Sequence, residues 1–108
     1  MNKIEIDLDI VREYGLSGYL VMTYLNTMIN ASKNLGVNYF DGKYWTNQSI
    51  ADIVKSYNIF SRGTINNTLR TLIDKGILEK RNDKDDKGSW NNNWYTFTEK
   101  GLEIINKQ

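Results

Sequence analysis

The stretch SRGTINNTLRTLIDKGILEKR, Ser61 to Arg81, changes its hydrophobic period at Gly76. Before the glycine, Ile65, Thr68, Leu69, Leu72 and Ile73 fall on one arc of a helix, and Ser61 is a good N-cap. Gly76 is the residue expected where such a helix stops, and ILEKR then reads as a strand. The outward face of this helix is unusual. A solvated face is ordinarily built from Glu, Lys and Gln, yet Gly63, Thr64, Asn66, Asn67, Arg70 and Thr71 stand here, and no carboxylate occurs from Ser61 to Ile73. Gly, Thr and Asn each lower helix propensity by up to about 1 kcal/mol relative to Ala, so something must offset the loss.

Downstream, NDKDDKGSWNNN reads as a polar loop and WYTFT as a returning strand. Thr98 then opens a last amphipathic helix, TEKGLEIINK, with Gly101 inside it. Upstream, Ile50, Ile53 and Val54, with Ala51 at the edge, form the narrow stripe of a short helix that Thr46 or Asn47 can cap. Asp41-Gly42 is a turn signal between aromatic pairs and predicts a short strand or hairpin around Tyr44 and Trp45. From Leu16 to Leu35 the pattern is helical, with Leu16, Leu20, Tyr24, Met28, Ala31 and Leu35 on one stripe and Val21 beside it. Met22, Leu25 and Ile29 widen the apolar arc beyond one core contact; they predict either a helix enclosed by its own domain or a homodimer surface. At the N-terminus Ile4, Ile6, Leu8 and Ile10 alternate with Glu5, Asp7 and Asp9, the period of a strand with one buried face. Those carboxylates read as a solvated face rather than as a metal site.

At 108 residues the chain predicts a single domain spanning 1–108 with one core. It contains no Cys and no His, which excludes thiol, disulfide and imidazole chemistry and the usual zinc sites. No base remains to activate the Ser, Thr or Tyr hydroxyls except Lys or carboxylate, so the expectation is a protein that is not an enzyme. DKDDKG starts like a calcium loop at Asp83 but places Lys87 at the fifth position and Trp94 at the twelfth, where a ligand is needed. GLSG and SRG lack the spacing of phosphate-binding glycine motifs. No metal, cofactor or small-molecule ligand is therefore expected. The absence of a long apolar run or signal-like N-terminus points to a cytoplasmic protein without a membrane span. Net charge is only +1, but it is unevenly placed: residues 55–81 carry six Lys/Arg against two Asp/Glu, and the segments on either side are net acidic.

The order of predicted elements, and the segments YWTNQSIADIV, SRGTINNTLRTLIDKGILEKR and WYTFTEKG in particular, resemble a winged helix-turn-helix domain over roughly residues 16–105. Among these the chain looks most like the DNA-binding domains of plasmid and phage replication initiators and DnaD-like replisome organisers, and is similar in size to TubR-type centromere-binding proteins. The resemblance implies an α+β fold with a three-helix core and a β-hairpin wing, to which the residues add an N-terminal strand and a short C-terminal helix. It implies that Ser61–Ile73 is the recognition helix. Two features depart from the family pattern. KSYNIFS is longer than the usual tight turn, and the wing carries three Asp against two Lys.

Double-stranded DNA accounts for the helix face. Free amides at the helix start, the hydroxyls of Ser61 and Thr64, and Arg62 suit phosphate, while Gly63 permits close approach. Asn66, Asn67 and Arg70 suit adenine and guanine edges, and the methyls of Thr64 and Thr71 suit thymine. Lys55, Lys75, Lys80 and Arg81 read as phosphate contacts or solvated charges. The expectation is a sequence-specific DNA-binding homodimer with recognition helices about 34 Å apart, acting in transcription regulation, replication or plasmid partition as a repressor or a centromere- or origin-binding adaptor. The competing class is a protein-interaction module that holds a replication or partition protein and uses DNA secondarily.

Overall fold

The computed structural model describes residues 6–84 and 87–106. They form an α+β domain of four helices and two small antiparallel sheets. The first element, α1 (Leu8–Leu35), starts from Asp7, whose carboxylate accepts hydrogen bonds from the Asp9 and Ile10 amides. The N-terminal strand expected from alternation is thus a helical turn over Leu8 and Ile10; Ile4 and Glu5 lie outside the described residues. Capping explains the difference. Asp7 satisfies two first-turn amides, and the helical set Ile10, Val11 and Tyr14 packs on the core while Leu8 remains exposed.

Gly15 interrupts α1 with φ 77° and ψ 168°, a conformation that side-chain-bearing residues avoid, and so sets the segment 8–14 at an angle to the long segment 16–35. The long segment ends at Gly36 in the left-handed region, whose amide bonds to the Lys33 carbonyl while Val37 N–H reaches Ser32. Its buried face is made by Val21, Met22 and Leu25, all with no exposed surface, and Ile29 packs on the same cluster half-buried. Met22 and Leu25 are therefore interior residues and cannot form the dimer surface anticipated for them. The extra width of the apolar arc is used up by contacts with two layers, α3 and the sheets.

Asp41 and Gly42, both at positive φ, turn β1 (Tyr39–Phe40) into β2 (Lys43–Tyr44). β3 (Thr46–Asn47) then joins a second sheet, so neither residue caps the following helix. That role falls to Ser49, which forms a reciprocal capping box with Asp52 at the start of α2 (Ile50–Ser56). α3 (Arg62–Asp74) follows after a connection in which Tyr57 packs edge-on against Tyr24. Gly76 at φ 73° ends α3, with Ile77 N–H bonded to the Leu72 carbonyl, and delivers the chain to β4 (Leu78–Lys84). β5 (Trp90–Phe97) returns antiparallel between β3 and β4, giving the order β3-β5-β4.

The last helix, α4 (Glu99–Ile105), begins at the Thr98 cap. Thr98 donates to the Gly76 carbonyl and Lys100 Nζ to the Lys75 carbonyl, which stitches α4 to the corner where α3 becomes β4. Gly101 makes this docking possible: a Cβ there would collide with the Ile77 carbonyl oxygen and crowd the Phe97 ring. The glycine serves close backbone approach and does not shorten the helix. Among the described residues no helix is long and apolar enough to cross a membrane.

Candidate functional site

α3 is positioned from beneath. Ile65, Leu69 and Leu72 are buried in the core cluster, and Thr68 Oγ1 donates to Ser17 Oγ at 2.9 Å, with the Thr64 carbonyl also within 2.8 Å. This anchoring turns Arg62, Gly63, Thr64, Asn66, Asn67, Arg70 and Thr71 outward together, and all of them are exposed. The grouping expected on one helix face is what the fold presents. No acidic residue stands in the first turn of α3, and among the described residues no ion pair engages Arg62 or Arg70. Lys55, in the last turn of α2, is also exposed.

Ser61 caps α3 as its sequence position predicts, and this use competes with the phosphate contact also expected of its hydroxyl. Its Oγ accepts from the Thr64 amide and lies 3.1 Å from Thr64 Oγ1, so it works as the helix cap. The hydroxyl of Thr64 and the amides of Arg62 and Gly63 are then the donor groups at this helix start.

Lys80 and Arg81, adjacent on β4, diverge because side chains alternate along a strand. Lys80 lies over the Tyr95 ring at 5.6 Å, on the face of the sheet that carries Leu78 into the core. Arg81 points the other way. Its guanidinium bonds Asp41 at 2.9 Å, approaches Asp83 at 3.7 Å and lies over the Phe40 and Trp45 rings. Those rings stack on each other, and Trp94 meets Phe40 edge-on. Arg81 is thus a structural clamp between β4 and the β1–β2 hairpin, and not one of the outward charges. The sequence hides this because Asp41 lies forty positions away.

Two residues of α1 join the α3 face unannounced. The bend at Gly15 brings Tyr14 and Ser17 to the rim of a shallow cleft of about 280 Å³, completed by Thr64, Asn67, Thr68 and Thr71. Lys75 lies over the Tyr14 ring at 5.1 Å, and burial, with Glu13 adding a smaller push, raises the Tyr14 phenol above its ordinary 10.0. The only available signal was the GLSG stretch, whose glycines interrupt an otherwise regular helix. Leu72 and the Tyr14 ring share the lining with the hydroxyl and amide groups, of which Thr64, Asn67 and Thr71 stand exposed on α3. Among the described residues no group of three or more acidic side chains is placed to hold a metal ion.

At the far end of the β4–β5 hairpin, Trp90 is 67% exposed, pairs with Lys84 across the strands and lies 5.5 Å from its ammonium group. Trp90 is not folded back onto Trp94, which is buried at the hairpin base. No protein-family model, curated protein sequence or solved structure matches this chain, so a functional reading rests on its own residues and geometry.

Proposed function

We propose that the chain is a winged helix-turn-helix protein that binds double-stranded DNA through α3 and has no catalytic role. The element order from α1 through β3, α2, α3, β4 and β5, with the sheet order β3-β5-β4, supports that reading of the fold. In it α3 is the recognition helix and β4–β5 the wing. The observation that carries the function is the outward face of α3. It is exposed, free of carboxylate from Ser61 to Ile73, and built of groups that pair with phosphate and base edges.

Arg62, the Thr64 hydroxyl and the Arg62 and Gly63 amides hold phosphate at the helix start, with Lys55 as a second phosphate contact. Asn66, Asn67 and Arg70 read base edges in the major groove: Asn pairs two-pointed with adenine and Arg with guanine. Thr64 and Thr71 present methyl groups to thymine. A domain of this kind acts by occupying DNA, as a repressor or as a centromere- or origin-binding adaptor in replication or partition.

The test is binding of labelled duplex taken from beside the chain's own gene. Neutralisation of phosphate by Lys55 and Arg62 gives a slope of log K against log salt of about −1.8 per copy bound. Asn67→Ala and Arg70→Ala each cost about 1–3 kcal/mol on the preferred sequence. A second reading draws on Trp90, an exposed aromatic at the tip of a hairpin rich in Asp, which suits a protein partner. Unchanged DNA binding in both α3 variants, together with loss of a partner on Trp90→Ala, would transfer the function to that surface.

A further inference from the structure

A pocket of about 440 Å³ lies between the C-terminal part of α1 and the β3 edge of the three-stranded sheet, and no residue of α3 lines it. Its volume falls in the range of small-molecule sites, roughly 300–1,000 Å³. Met28, Leu35, Val37 and Trp94 supply apolar walls, and no charged side chain takes part in the lining. Leu35 is 76% exposed and Val37 45%, so the rim keeps apolar surface that a bound molecule would cover. The polar groups of the lining are already tied to protein partners, with one exception. Gln48 Nε2 donates to Thr46 Oγ1 at 2.9 Å, Gln48 Oε1 accepts from the Tyr24 hydroxyl, and Asn38 Nδ2 donates to Ser32 Oγ at 3.0 Å. Ser32, Thr46 and Gln48 are buried, so these bonds fix the wall before any ligand arrives. The exception is Asn47. It is half-buried, pairs with Trp94 across β3 and β5, and among the described residues no hydrogen bond engages its carboxamide.

We infer that this pocket binds an uncharged planar heterocycle of the adenine type. A carboxamide sets a donor beside an acceptor, and it pairs two-pointed with a ring edge that carries an amino group next to a ring nitrogen. Asn47 supplies that pairing, and the apolar walls cover the ring. Charge is disfavoured here: an anion drawn into a lining with no cation loses its hydration without compensation. The recognised part is therefore the base, and a phosphate joined to it stays in solvent and adds no affinity. The pocket shares no residue with the surface proposed to meet DNA, and the inference does not depend on that reading.

The experiment is titration of the full chain, labelled with nitrogen-15 and free of DNA, with adenosine while its amide resonances are followed. Saturable shifts are expected at Asn47, Gln48 and Trp94, with Kd of about 0.1–1 mM. AMP is expected to bind no more tightly than adenosine. Purine riboside, which lacks the amino donor, is expected to bind at least about tenfold more weakly. Asn47→Ala and Asn47→Asp are each expected to weaken adenosine at least about tenfold. The aspartate variant keeps the size of the side chain and removes its donors, so it reads the pairing apart from any packing loss in the alanine variant. No shift up to about 5 mM adenosine overturns the inference. So does an affinity unchanged in both Asn47 variants, or a set of shifts centred on Asn66 and Asn67 of α3.

Discussion

Arg81 and Asp41, forty residues apart in the chain, meet at 2.9 Å and lock the base of the β4–β5 hairpin to the tight turn of the β1–β2 hairpin. The guanidinium also covers Phe40 and Trp45, and its Nε is buried without a hydrogen-bond partner. A side chain so engaged is unavailable to a polyanion. Arg81→Ala is expected to lower stability by about 1–2 kcal/mol, combining a partly exposed ion pair with a cation–π contact. Urea denaturation measures this loss. The salt slope of DNA binding is expected to stay the same in this variant; a decrease of about one unit would make Arg81 a phosphate contact instead.

Gly101 tests the docking of α4. Alanine raises helix propensity, so at an exposed position Gly→Ala would stabilise by about 1 kcal/mol. Here the added methyl meets the Ile77 carbonyl at the start of β4, a backbone atom held by the Thr98 hydrogen bonds. Gly101→Ala is therefore expected to destabilise by about 1–3 kcal/mol, the cost of overpacking. A midpoint in urea equal to or above that of the wild type would show that α4 is not held against this corner.

The alkaline limb of stability follows from Tyr95. Burial raises its phenol above the ordinary 10.0, so the folded chain retains a proton that the unfolded chain releases. The resulting stabilisation is complete below pH 10 and is lost as pH rises through the folded value. Tyr57 acts in the same direction, its phenol raised by burial first and by neighbouring Tyr24 and Tyr19 second. The melting temperature is expected to fall above about pH 10 and to fall less steeply in Tyr95→Phe. With no histidine in the chain, no imidazole titration moves it between about pH 6 and 8. Thermal melts across this range check both statements.

Reading the residues in order was enough wherever a few neighbours settle the backbone. Ser61 capping α3, Gly76 stopping it, Asp41-Gly42 turning a hairpin and the inward set Ile65, Thr68, Leu69 and Leu72 all depend on interactions within about one helical turn or one tight turn. The outward grouping of Gly63, Thr64, Asn66, Asn67, Arg70 and Thr71 was legible for the same reason, since helical spacing alone places them together. At the N-terminus local signals conflicted. IEIDLDI satisfies a two-residue period, while the Asp7 cap and the spacing of Ile10 and Tyr14 satisfy a helical one, and packing on the core selected the helix. Other properties come from segments distant in sequence: the burial of Met22 and Leu25 by two layers, the Arg81–Asp41 clamp, and the arrival of Tyr14 and Ser17 beside α3. Backbone conformation answers to steric and hydrogen-bonding terms of short range, whereas the surroundings of a side chain are set by whichever remote elements fold against it.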